Sequence, residues 1–201
     1  MRYLKFPSIL AALCIFWQPS MLLAAPGQPQ LHPHERVYLL RGLFNVFSLG
    51  MDRLGDELRQ RNVEAEVGNH TLSGLYASEA IADCKSGKIS SIVLVGHSLG
   101  ASAAVTMAEQ MAQAGVRVAL IVTVDPVVET KVPSNVLALK NFYFSNGVGR
   151  AVQRGPDFRG SLQNVDMKAD TQLGHVSLAN SESLHHQILG YVRAAAGSRC
   201  R

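Results

Sequence analysis

Two kinds of segment alternate along the chain from Val37 onward. Short apolar runs, rich in β-branched and aromatic residues, recur as VYLL (37–40), SSIVLVG (90–96), RVALIVTV (117–124) and NFYF (141–144). VEAEV (63–67) and LQNVDM (162–167) are weaker runs of the same kind. A run that is apolar at every position suits a strand buried on both faces, as in a parallel sheet. Between the runs the apolar period lengthens to that of helices. Met51, Leu54 and Leu58 mark one helix over about 48–61; Leu75, Ala80 and Ile81 mark a second over about 73–86. Ala104, Val105, Ala108, Met111 and Ala112 mark a third, closed by Gly115. Leu184, Ile188, Tyr191 and Ala195 mark the last, opened at Asn180 or Ser181 and stopped near Gly197. This alternation predicts an α/β domain: a doubly wound, mostly parallel sheet of about six strands with helices on both faces.

The ends of the chain change the picture in one respect. Residues 1–25 read as a secretory signal: Arg2 and Lys5, then the apolar run SILAALCIFW, then Pro19 and small residues, with cleavage after Ala24. Residues 26–36, PGQPQLHPHER, form a flexible leader into a single domain over 37–197, with 198–201 as a tail. His32 and His34 in the leader lack further ligands and read as solvated side chains, so no metal site is assigned. Loss of Arg2 and Lys5 reduces the formal charge from +4 to about +2, which gives no reason to expect a nucleic-acid partner. The expected location is therefore the periplasm or the exterior, with no stable membrane insertion of the mature chain. Maturation leaves Cys84 and Cys200. In an oxidising compartment they are either a disulfide or two unpaired thiols, and the sequence gives no distance between them.

Candidate chemistry begins at Gly96-His97-Ser98-Leu99-Gly100. The apolar run Ile92–Val95 leads into this G-x-S-x-G and a helical segment follows at once, the setting in which a sharp strand-to-helix turn lifts a serine hydroxyl clear of the sheet. The competing reading, a phosphate-binding turn, lacks both G-x-G-x-x-G and a lysine after the last glycine. Ser98 as nucleophile needs a base and a carboxylate that orients it, placed later in the chain in the order Ser, Asp, His. Asp125 follows its strand directly and is the favoured acid; Asp157 is the alternative, and Asp166 and Asp170 are weaker. Asp125 can also be read as a turn aspartate that caps backbone N–H groups. His175, before the last helix, is the favoured base. His185 and His186 lie off that helix's apolar face and read as solvated, His70 is out of order, and His97 reads as a packed neighbour. The oxyanion donors would be the Leu99 N–H, at a helix N-terminus, and the N–H of Leu43 or Phe44 after Gly42; Asn45 and Ser48 could line the same mouth, Ser48 also as a helix cap.

VGHSLGA, with TVDP and GHVSL after it, resembles the α/β-hydrolase superfamily, in particular small bacterial lipase- or thioesterase-like members, over about 37–196. The resemblance implies a minimal fold without a large cap domain, and a serine hydrolase that cleaves carboxylic esters or thioesters through an acyl-enzyme without a cofactor. Its substrate would be a small acyl compound. An acyltransferase on the same triad and a non-catalytic binding protein of the same fold are the alternatives. The sequence departs from the family pattern in three places. Arg41-Gly42 stands where His-Gly is frequent, the acid follows the strand next after the serine, and the usual first two antiparallel strands are missing. Residues 145–160 are the one sizeable candidate for a flap. Their Arg150, Arg154 and Arg159 would either meet an anionic group or form a solvated rim.

Overall fold

The computed structural model describes residues 34–43 and 49–201. Six strands form one sheet: β1 (Glu35–Arg41), β2 (Glu64–Asn69), β3 (Ser91–His97), β4 (Leu120–Val124), β6 (Ala138–Tyr143) and β8 (Ser161–Asp166). All pairings are parallel and the order is β2-β1-β3-β4-β6-β8. The remaining two, β5 (Lys131–Val132) and β7 (Gln153–Arg154), pair with each other apart from the sheet.

Side chains on the strands alternate between two cores, which is why the runs are apolar throughout. Tyr38, Leu40, Ile92, Leu94, Ile121 and Leu139 face one side, with helices α2 (Ser73–Ser86) and α3 (Leu99–Gln113). Val37, Leu39, Val93, Val95, Val122 and Phe142 face the other, with α1 (Leu49–Arg59) and α5 (Glu182–Ala195). A four-residue helix, α4 (His175–Leu178), precedes α5. Ser181 caps α5, its hydroxyl accepting from the Leu184 N–H.

Four expectations need correction. First, the candidate flap is held to the sheet: the β4–β6 and β6–β8 crossovers, where the sequence pattern marks no helix, carry β5 and β7. A polar ladder across the sheet explains the second of these. Thr123 Oγ1 donates to Asn141 Oδ1 at 2.8 Å, and Asn141 Nδ2 donates to Asn164 Oδ1 at 2.8 Å and to the Arg150 carbonyl at 3.0 Å. Asn164 then exchanges bonds with both backbone groups of Val152, satisfying an extended segment that has no ladder of its own. Residues 145–160 are accordingly tied down, with Val152 and Phe158 buried and Arg150, Arg154 and Arg159 exposed on the rim. Second, Leu75 is 64% exposed; α2 buries the small residues Ala77, Ala80 and Cys84 instead.

Third, the first strand opens at Glu35, two residues before Val37. Fourth, the tail is packed: Cys200 is buried and bonded to Cys84, closing a loop across 116 positions. In the chain-entropy account a loop of that length contributes about 4–5 kcal/mol. No described helix is long and apolar enough to cross a membrane.

Candidate active site

The order of strands fixes where a site can form. β1 sends its crossover to β2 on one side, whereas β3, on its other side, sends its crossover to β4 and away from β1. Loops leaving the carboxyl ends of β1 and β3 therefore diverge and leave a crevice, the usual ligand position in such sheets. Gly42 leaves β1 and Ser98 leaves β3, so these two residues flank it.

Ser98 sits at φ 59°, ψ −122°, a conformation rare for a residue with a side chain. Its N–H stays on the sheet ladder, bonded to the Val124 carbonyl at 2.9 Å. The flanking glycines are required by contact. A Cβ on Gly96 would lie 2.2 Å from the Gly100 carbonyl oxygen, and one on Gly100 would lie 2.1 Å from that of Leu40. Gly42 is as tightly placed, since its Cβ would fall 2.8 Å from Ser98 Cβ. The Gly42 backbone thus runs directly against the serine. Leu99 opens α3, so its N–H has no carbonyl a turn earlier in the helix to bond.

Asp125 emerges one residue past β4, also at positive φ (46°), with its N–H bonded to the Phe142 carbonyl at 2.7 Å. The side chain is 1% exposed and both oxygens are used. Oδ1 accepts from the Phe144 N–H at 2.9 Å, and Oδ2 accepts from His175 Nδ1 at 2.6 Å. Asp125 is therefore a backbone cap and a histidine partner at once. Ser98 Oγ donates to His175 Nε2 at 3.1 Å. The Asp125 carboxylate fixes the tautomer, with the proton on Nδ1 and a lone pair on Nε2 facing the serine.

His175 opens α4, whose start is steadied by the Ser177 hydroxyl accepting from the Gly174 N–H at 2.8 Å. His97 supplies a second hold. It is 1% exposed, and its Nε2–H donates to the His175 carbonyl at 2.8 Å. Burial holds the His97 imidazole below its ordinary pKa, which favours the neutral ring beside His175.

The other predicted candidates lie elsewhere. Asp157 is exposed and makes no hydrogen bond to His175. Asp166 accepts from the Ser145 hydroxyl and N–H, bonds that hold its carboxyl below the usual range. Asp170 caps the Gln172 and Leu173 N–H groups. His186 is exposed as expected, but His185 is not: it is 1% exposed, between Glu57 Oε1 on α1 and the Ala179 carbonyl. Phe44, Asn45 and Ser48, like His32 and residues 1–33, lie outside the described residues. Leu43 is half-exposed at the mouth.

Gly149 is a site residue that sequence reasoning missed. A Cβ there would stand 1.8 Å from Asp125 Oδ1 and 3.1 Å from the Phe144 nitrogen, so only glycine leaves room for the carboxylate.

A cavity of about 280 Å³ opens beside Asp125 and His175, with Phe144, Val148, Lys168 and Leu173 on its walls. A second, of about 360 Å³, lies on the outer face of α3 near Thr130 and touches none of the three residues. Among the described residues no cluster of His, Cys, Asp and Glu could hold a metal ion.

No family model and no curated protein matches this sequence. Solved structures do. The chain is similar to the ydeN gene product from B. subtilis, at 12% identity over 78% of this chain and 98% of that one, with a TM-score of 0.52. It is also similar to the type II thioesterase BorB from the borrelidin biosynthetic cluster, at 9% identity over 84% and 94%, with a TM-score of 0.51. At these identities the likeness is one of fold: the chain has a minimal α/β-hydrolase fold, a six-stranded parallel sheet with helices on both faces.

Proposed function

We propose that this protein is an exported serine hydrolase acting on carboxylic esters or thioesters. The observation that carries the reading is the unbroken chain Ser98 Oγ–H to His175 Nε2, and His175 Nδ1–H to Asp125 Oδ2, at 3.1 and 2.6 Å. His175 removes the Ser98 proton as Oγ attacks the acyl carbon. Negative charge develops on the carbonyl oxygen, and the Leu99 N–H, together with that of Leu43 or Phe44, receives it. Asp125 stabilises the imidazolium that forms. His175 then gives the proton to the departing alcohol or thiol, and water releases the acyl group by the same steps in reverse.

Two observations support export: the secretory-signal pattern over residues 1–25 and a disulfide between the two remaining cysteines. A fluorophosphonate probe tests the function. One adduct is expected on Ser98 of the folded protein, absent in Ser98→Ala and after unfolding. A folded protein that takes no label and turns over no ester overturns the reading.

A further inference from the structure

Arg41 and Asp52 form a two-pronged ion pair beside the crevice, and the Ser98–His175–Asp125 chain does not use it. Arg41 Nε donates to Asp52 Oδ2 at 2.8 Å, and Nη2 donates to Oδ1. Arg41 is the last residue of β1, and Asp52 stands in the first turn of α1, 11 positions on. A carboxylate suits that turn on its own account, because a helix N-terminus favours negative charge. Its partner is what needs a reason. A planar guanidinium on two carboxylate oxygens fixes distance and orientation together, which a lysine in its place could not do.

Each end that the pair joins is seated on the backbone of the candidate site. On the β1 side, Gly42 lies against Ser98. A Cβ on Gly100, two residues past the serine, would fall 2.1 Å from the Leu40 oxygen and 2.8 Å from that of Arg41. On the α1 side, a Cβ on Gly50 would fall 1.8 Å from the oxygen of Ala179, which caps the helix that His175 opens. Arg53 Nη2 donates to Asn180 Oδ1 at 3.3 Å beside it. The end of β1 therefore rests on the serine's turn and the start of α1 on the cap of the histidine's helix, and Arg41–Asp52 ties the two together. The backbone donor that the proposed mechanism places after Gly42 belongs to the stretch of chain whose ends this pair holds.

We propose that Arg41 and Asp52 are positioning residues for the oxyanion donor that follows Gly42. Their bond holds the two ends of that stretch at a fixed separation, so the donor keeps its place against Ser98 before substrate arrives. A donor stabilises developing charge only if it is already in place, and a displacement of about 1 Å costs up to about 10²-fold in rate. The pair contributes little to overall stability, because its side chains are 21% and 35% exposed. Its effect falls on the rate and not on the fold. The inference rests on the proposed hydrolase reading.

The test is the kinetics of p-nitrophenyl butyrate together with inhibition by an alkyl trifluoromethyl ketone, whose adduct with Ser98 puts a charged oxygen where the transition state has one. Asp52→Asn keeps the size of the side chain and turns one acceptor of the fork into a donor. It should lower kcat about thirtyfold, part of the 10²–10³-fold that outright loss of an oxyanion donor costs, with KM changed less than about twofold. The Ki of the ketone should rise by the same factor. Arg41→Lys keeps the charge and loses the fork, and should fall between Asp52→Asn and the wild type. Asp56→Asn, which breaks the exposed pair with Arg59 on the same helix, should leave all three constants unchanged. Urea denaturation of each variant checks the fold. An unchanged kcat in Asp52→Asn overturns this inference while the wild type still labels at Ser98, and so does a loss expressed in KM, or one that the ketone's Ki does not follow. An Asp52→Asn protein that no longer folds also overturns it, since the pair would then be a brace of the fold. Absence of both labelling and turnover in the wild type overturns the hydrolase reading and this one with it.

Discussion

Asp125 and Glu35 are two carboxyl groups buried to nearly the same depth, 1% and 3% exposed, near opposite edges of one sheet. Asp125 stands past the carboxyl end of β4, and both of its oxygens are occupied, by the Phe144 N–H and by His175. Glu35 opens β1 at the amino edge, and among the described residues neither of its oxygens has a hydrogen-bond partner. Its register partner on β3, Ser91, carries an unpartnered buried hydroxyl as well. Burial alone penalises a carboxylate; donors aimed at it reverse the outcome. At Asp125 the backbone is bent into positive φ and Gly149 is kept bare so that donors and carboxylate meet. At Glu35 nothing is built, and desolvation raises the carboxyl pKa from 4.5 to about 7. The carboxyl edge is organised to hold a charge, whereas at Glu35 the amino edge is organised to keep water out.

The largest expected effect breaks the occupied member of this pair. Asp125→Asn keeps the Phe144 contact but can offer His175 an amide N–H where it needs an acceptor, favouring the wrong tautomer. The kcat for ester hydrolysis should fall about 10⁴-fold, the size of effect that an acid-to-amide change has in such triads. Asp157→Asn, on an exposed loop, should change kcat less than about twofold. Steady-state kinetics on one activated ester measure both, and comparable losses would mean that Asp125 is a structural cap alone.

The unoccupied carboxyl sets the second expectation. Since the folded pKa of Glu35 lies above its unfolded value, the fold prefers the protonated form. Its contribution to stability is complete below pH 4.5 and is lost as the pH rises towards about 7. The loss by pH 8 amounts to about 3 kcal/mol. Glu35→Gln should remove this slope and make the variant more stable than the wild type at pH 8. Urea denaturation at pH 5 and pH 8 measures it. An unchanged pH slope in the variant would show that water reaches the Glu35 carboxyl.

The same contrast separates what the sequence discloses from what it hides. Four strands of the sheet, β1, β3, β4 and β6, were legible because each holds an apolar run set by local composition; β2 and β8 stand at the two edges of the sheet, bury few side chains and so showed only as weaker runs. Ser98, Asp125 and His175 were legible as candidates because chain order and strand ends restrict where such residues can stand. Gly149 was not, for SNGVGR reads as a turn, and what its missing side chain accommodates is a carboxylate 24 positions earlier. His185 was misread for a related reason. The buried arc of α5 is wider than the stripe through Leu184 and Ile188, and it includes Leu189 and Val192. The Glu57 partner of His185 lies 128 positions away, beyond any local pattern. Leu75 misled in the opposite direction, because α2 packs through Ala77, Ala80 and Cys84 and leaves Leu75 on the outside.

His97 sharpens the comparison at the smallest scale, since it serves the occupied edge without touching substrate. It lies at the end of β3, one residue before Ser98, and its Nε2–H donates to the His175 carbonyl oxygen at 2.8 Å. It is thus a positioning residue that links the strand carrying the serine to the helix carrying the base. The rings of His97 and His175 are 5.0 Å apart, so a charged His97 would oppose the imidazolium that catalysis requires. Its burial favours the neutral form. His97→Phe retains bulk and loses the donor; His97→Gln keeps an N–H that can reach the same carbonyl. The phenylalanine variant should lose about tenfold in kcat, the worth of one buried hydrogen bond, with KM nearly unchanged, and the glutamine variant should recover most of that loss. If both variants lose kcat equally, the bond is incidental and His97 acts through its packing alone.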